Sequence, residues 1–312
     1  MILSRNNISF AGFIICLIGS LLFSTKAIIV KLAFADSGVD ALTLLTIRMA
    51  FSLPFFLAAA FWSANKNANA KLGLRQYLQI VLLGLFGYYL SSYFDFVGLQ
   101  YISAGLERLI LFLYPSIVVL INAFFFRQRI TRIQLIALLL TYLGIGLAYY
   151  GEMQFDAAYP NFVWGSMLIF LCSITYAIYI AGSGRIIPYI GPSRFTAYSM
   201  LAATAGIFIH FGVSRNYTEL MATAGIWQYG LLLAIAATVL PTFLIAAGMS
   251  RIGSNNVAII SSIGPVSTIL QAHWLLGEPI HSGQITGTVL VIAGVLLTGW
   301  KSGAAQIVQD RR

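Results

Sequence analysis

The chain has 312 residues, of which 59% are hydrophobic and only 9% charged, and its mean hydropathy is +0.88. An ordinary soluble domain carries about a quarter charged residues, and a soluble chain cannot hide this much apolar surface, so a soluble fold is excluded and lipid is the solvent. The net charge of +9 does not point to nucleic acid, because the basic residues are placed as membrane topology would place them.

In lipid, backbone polar groups must be satisfied within a helix or a closed barrel. The apolar runs here are about twenty residues long and lack period-two alternation, which predicts helices and excludes a barrel. In chain order the predicted spans are 10–33, 41–62, 76–97, 105–126, 132–150, 162–183, 194–211, 227–248, 254–276 and 283–301. The first run continues through Lys26 without a small-residue cleavage site, so it reads as a span and not as a removed signal. Cys16 and Cys172 lie in separate apolar runs and read as small packing residues without a disulfide.

Loop charge sets the direction. With the N-terminus inside, the inner segments hold Arg5, Lys66, Lys71, Arg75, Arg127, Arg129, Arg132, Arg185, Arg194, Arg251, Lys301, Arg311 and Arg312, whereas the outer loops hold only Arg215. By the positive-inside rule both termini are cytoplasmic, in a cytoplasmic (inner) membrane.

Shifted by 150, residues 98–147 lie over 248–297 without a gap: Gly98 meets Gly248, Pro115 meets Pro265, Gln134 meets Gln284 and Gly144 meets Gly294. A shift of 153 brings Gly12 and Ser20 over Gly165 and Ser173. The expected architecture is therefore an all-α membrane protein of ten transmembrane helices in two repeats, 1–150 and 151–312, the second ending in a short cytoplasmic tail. Five spans per repeat is an odd number, so the second copy enters from the opposite side. Inverted repeats are the plan of secondary transporters, with the site near the midplane.

The repeat also marks a pathway. Tyr88, Ser92 and Asp95 share a face of span three; Glu107 and Tyr114 share one on span four; Thr238 and Thr242 lie on span eight; Asn255 and Ser262 lie on span nine. Either these polar stripes line a central cavity, or their hydroxyls bond back to their own helices. Pro115 and Pro265 each remove a backbone hydrogen bond and should kink their spans, as candidate hinges or as static packing features.

The ten-span double repeat, the Ile102–Ser103–Ala104 and Ile252–Gly253–Ser254 entries into spans four and nine, the run from Ala104 to Pro115, and the run from Ser261 to Gly277 ending at Pro279 resemble the EamA family of the drug/metabolite transporter superfamily. The resemblance covers nearly the whole chain. It implies secondary transport of amino acids, drugs, nucleobase-like compounds or other metabolites, with a small-molecule solute and the bilayer as partners and no cofactor, metal or catalytic residue. One departure is Arg127–Gln128–Arg129 where the second repeat reads Gly277–Glu278–Pro279; Glu278 is expected to cap its own short outer loop.

Lys26, Arg48, Asp95, Glu107 and Arg108 fall in the outer half of spans one to four, and the equivalents of the last three, Ile245, Val257 and Ala258, are apolar. A charge at membrane depth is expensive unless paired or wetted. Three roles compete: structural pairing, which stands first; contact with an anionic or zwitterionic solute; and proton coupling through Asp95 or Glu107. Arg108 has the further option of snorkelling to the interface. The function expected is export of small polar or amphipathic metabolites by alternating access. The alternatives are an importer of an anionic metabolite and a membrane enzyme acting on lipid-linked substrates, for which Asp95 with Glu107 is the one candidate set.

Overall fold

A computed structural model describes residues 10–66, 72–127, 130–155, 161–214, 225–261 and 263–309. All regular structure among them is helical. Eight helical stretches, beginning with Phe10–Ser37 and ending with Ile226–Ile245, are long and apolar enough to cross a membrane; a shorter apolar helix covers Ser282–Leu297.

The first stretch is two helices, α1 (Phe10–Ser24) and α2 (Lys26–Ser37). Thr25 separates them: its amide and its hydroxyl both donate to the Leu22 carbonyl, at 3.1 and 2.7 Å, which tightens the turn just before Lys26. After α3 (Ala41–Lys66), α4 (Leu74–Gly84) passes into a π-helical turn, Leu85–Leu90, and then into α5 (Ser91–Gly98). The next stretch breaks at Phe112–Leu113, between α6 (Ala104–Leu111) and α7 (Tyr114–Phe126). Then come α8 (Arg132–Phe155), α9 (Phe162–Ile190) and α10 (Pro192–Ser214).

The second half repeats two irregularities of the first, the π turn and the break before a proline. A second π turn, Ile235–Val239, joins α11 (Ile226–Ala234) to α12 (Leu240–Ser261). Next come α13 (Gly264–Leu276) and α14 (Ser282–Gln309). Moved by 150, Ile235–Val239 falls inside Leu85–Leu90. Pro115 and Pro265 each stand within the first two residues of the helix that restarts after a break. The helices that follow these breaks both close on a left-handed residue, Arg127 at φ 54° and Gly277 at φ 70°.

α12 is not straight. A Cβ on Gly19 would lie 3.1 Å from the Ile245 side chain, while the Ser20 hydroxyl is 3.0 Å from that of Ser261. Sixteen residues of straight helix would span about 24 Å, so the chain reverses within α12 to put both on adjacent residues of α1.

Helices of the two halves pack in pairs: α1 on α12, α5 on α9, α3 on α10, α6 on α13, and α8 on α14. The last pair depends on small residues. A Cβ on Gly144 would come within 2.6 Å of the Gly287 carbonyl oxygen, and one on Gly294 within 2.7 Å of that of Ala137. This is the close backbone approach that glycine permits between helices in lipid. We call the end of the bundle that holds residues 99–103 and 277–281 the upper end.

Candidate functional site

The breaks in the helices bring the charges together. Thr25 sets the direction of α2, and Lys26 extends its ammonium to Asp95 Oδ2 at 2.6 Å and to Glu107 Oε1 at 3.6 Å. Asp95 stands one turn from the end of α5, and Glu107 lies in the first turn of α6, which Ser103 caps by accepting from the Leu106 amide at 3.0 Å. The two carboxyl groups meet at the same Lys26 ammonium. Asp95 is 1% exposed and Glu107 0%, so the contact is removed from solvent and lipid alike.

Arg48, on α3, is within Coulombic reach of Asp95 and Tyr88, and its guanidinium lies 5.3 Å from the centre of the Phe96 ring. Arg108 lies between rings, 5.1 Å from that of Phe23 and 5.8 Å from that of Phe112. It does not snorkel outward: α6 is buried at every residue, so the side chain turns into the bundle. Among the described residues neither arginine has an acidic group within 4.0 Å, and Nε and Nη1 of Arg48 and Nε of Arg108 are buried without a hydrogen-bond partner.

Next to the charges is a group of tyrosines. The Tyr179 hydroxyl donates to that of Tyr88 at 3.1 Å; Tyr176 stacks on Tyr179 at 5.9 Å and meets Tyr114 edge-on at 5.0 Å. Tyr88, Tyr114 and Tyr176 lie deep among the helices and yet are only partly buried, so they border an internal space. The sequence reading missed Tyr176 and Tyr179, although the shift of 153 lays Lys26 over Tyr179.

The other expected pathway residues divide. Ser92 is half-buried, and its neighbour Ser91 is the one drawn inward, its hydroxyl 3.3 Å from Cys172 Sγ. Tyr88 is half-buried as Ser92 is. Thr238 and Thr242 donate to carbonyls of their own helices, Leu233 at 2.9 Å and Thr238 at 2.6 Å. The side chain of Asn255 and all of Ser262 lie outside the described residues.

Glu278 corrects one expectation. It does not cap its own loop: both its oxygens accept from the Ala104 amide, each at 3.1 Å, and Oε1 lies 3.4 Å from the Lys31 ammonium. A carboxylate of the second half thus caps α6 of the first, where the helix dipole favours an anion. The Tyr229 hydroxyl donates to Asp36 nearby, a second polar tie across the upper end. Both cysteines are free and buried. Among the described residues no set of three or more His, Cys, Asp or Glu side chains converges as a metal site would.

The model of the EamA-like transporter family matches this chain twice, over residues 10–150 and 163–300. The chain belongs to that family. It is 32% identical over 301 residues to the Bacillus subtilis protein named "Uncharacterized transporter YcbK", covering 94% of this chain and 95% of that one. It is 24% identical to the Arabidopsis thaliana "WAT1-related protein At4g01450", over 88% and 81% of the two chains. A solved structure titled "Crystal structure of protein" superposes with a TM-score of 0.63 at 17% identity, over 92% of this chain and 96% of that one, and shows the shared fold alone. This is a multi-pass integral membrane protein of a transporter family.

Proposed function

We propose that this chain is a secondary transporter, an exporter of small polar or amphipathic metabolites such as amino acids. It works by alternating access between two inverted repeats of five spans, with both termini cytoplasmic. The observation that carries the reading is that packing survives exchange of the halves. Gly144 faces Gly287 and Val291, and Gly294 faces Ala137 and Thr141, which are the same positions moved by 150. Gly98 faces Ile169 and Gly248 faces Cys16, which correspond by the shift of 153.

The reversal within α12 supports the tenfold count, because it separates a descending stretch packed on Gly19 from an ascending one packed on Ser20. Basic residues at the lower end support a cytoplasmic lower face. The ties of Glu278 and Asp36 at the upper end, with α6 buried throughout, support a state in which the charged cluster is shielded from above. Pro115 and Pro265, beside the two helix breaks, are the candidate hinges. Proton coupling through Asp95 or Glu107 is the finer reading of the two carboxyls that share Lys26.

Purified protein in proteoliposomes, given a panel of solutes with and without a pH gradient, tests this. Exchange that ignores the gradient and persists in Asp95→Asn and Glu107→Gln removes proton coupling. If no solute moves under any gradient, the transporter reading is lost.

A further inference from the structure

The buried cluster is unbalanced. Lys26, Arg48 and Arg108 set three cations against the two carboxylates of Asp95 and Glu107, a net +1 with both ionised. A proton shared between the carboxyls would raise the excess. An uncompensated charge in a buried site is costly, and the lowest-energy remedy is a counter-ion with acceptor atoms for the idle donors.

The idle donors are identifiable. Arg48 and Arg108 are each 5% exposed, and among the described residues Nε and Nη1 of Arg48 and Nε of Arg108 have no hydrogen-bond partner. Their neighbours include phenyl rings, which attract the cation without using its N–H groups. The tyrosines that border the internal space are also near: Tyr88 is within Coulombic reach of Arg48, and Tyr114 and Tyr176 are within reach of Arg108. Gly264 leaves the room Arg108 occupies, since a Cβ there would come to 3.2 Å from Nη2.

We propose that Arg108 binds the carboxylate of a small organic anion whose flat apolar body lies against Tyr88, Tyr114 and Tyr176, with Arg48 adding its charge from the Tyr88 end of the site. The guanidinium fork suits a carboxylate in two-point contact, and the bound anion brings the cluster to three charges of each sign. The tyrosine faces supply the apolar wall, which a bare inorganic anion would leave unused. The proposal rests on the transporter reading for its purpose but not for its chemistry.

The test uses full-length protein in neutral-lipid nanodiscs with four probes: 3-phenylpropanoate, its amide 3-phenylpropanamide, 3-phenylpropylamine and inorganic phosphate. The expected result is that 3-phenylpropanoate binds at least tenfold more tightly than the other three. Arg108→Gln should weaken it tenfold or more, Arg108→Lys less, and Arg48→Gln severalfold. Thermal unfolding of each variant without probe confirms that it is folded, and Arg108→Lys keeps the comparison if Arg108→Gln is not. Equal binding of carboxylate, amide and amine, or carboxylate binding unchanged in both arginine variants, overturns the subsite. Loss of probe binding on adding anionic lipid assigns the site to a headgroup and overturns it too. If the amine or amide crosses proteoliposomes without preference for the carboxylate, the transporter stands and the subsite falls. If the carboxylate binds through the arginines and nothing crosses, the reverse holds.

Discussion

The two halves share a frame and fill it differently. Around Lys26 the first half places Asp95 and Glu107; at the corresponding positions the second half places Ile245 and Val257, which pack with Cys16 and Ile260. The π turns, the breaks before Pro115 and Pro265 and the glycine contacts recur, so at these positions the difference lies in the side chains. It shows that a repeat preserves where helices meet while leaving free what holds them there. An apolar junction is held by contact area alone. A charged junction depends on each partner remaining in place, and it offers a ligand something to compete for.

Lys26→Met tests this contrast most severely. It strands two buried carboxyls and should cost about 3–5 kcal/mol of stability, read by thermal unfolding of the purified protein. Adding Asp95→Ile and Glu107→Val makes the junction resemble its apolar counterpart. That triple variant should recover most of the loss, to within about 1–2 kcal/mol of the parent, while solute exchange stays abolished. A triple variant as unstable as the single would show that the charges do more than balance one another.

The shared frame is tested by Gly144→Ala and Gly294→Ala. Each adds a Cβ within 2.7 Å of a backbone oxygen across the α8–α14 contact. Each should cost about 1–3 kcal/mol, and the two losses should match within about 0.5 kcal/mol; a large disparity would break the symmetry argued above. Next in size is Glu278→Gln, which removes a charge-assisted bond to Ala104 and the pair with Lys31, worth about 1–2 kcal/mol in unfolding measurements. The smallest effect sharpens the comparison at its chemical boundary. Arg127→Gly should stabilise by about 0.5–1 kcal/mol by relieving a left-handed arginine, whereas Gly277→Arg should do the opposite.

Much of this organisation was legible in the sequence, because lipid imposes long helices and the repeat fixes equivalent positions. The clustering of Lys26, Asp95 and Glu107 followed from counting depth along spans taken to alternate in direction. What the sequence hid was rotation about each helix axis. Ser91, which the polar stripe on span three left out, is buried with its hydroxyl 3.3 Å from Cys172 Sγ. Nor does composition tell which loop carboxylate caps which helix: Glu278 reaches Ala104 across 174 positions of sequence. Tyr176 and Tyr179 lay unmarked within an apolar span, since a tyrosine there reads equally as packing.

The paired π turns also set the rotational phase of the helices beyond them. A π turn is a helix with one residue too many, and losing that residue would let the chain wind regularly again. Removing one residue from Leu85–Leu90 should therefore swing everything beyond it by about 100° about the axis, carrying Asp95 away from Lys26. Leu85–Leu90 and Ile235–Val239 hold the surplus residue at the same offset. The surplus residue thus belongs to the frame that both halves share, and the charges of the first half are set on a helix wound that way.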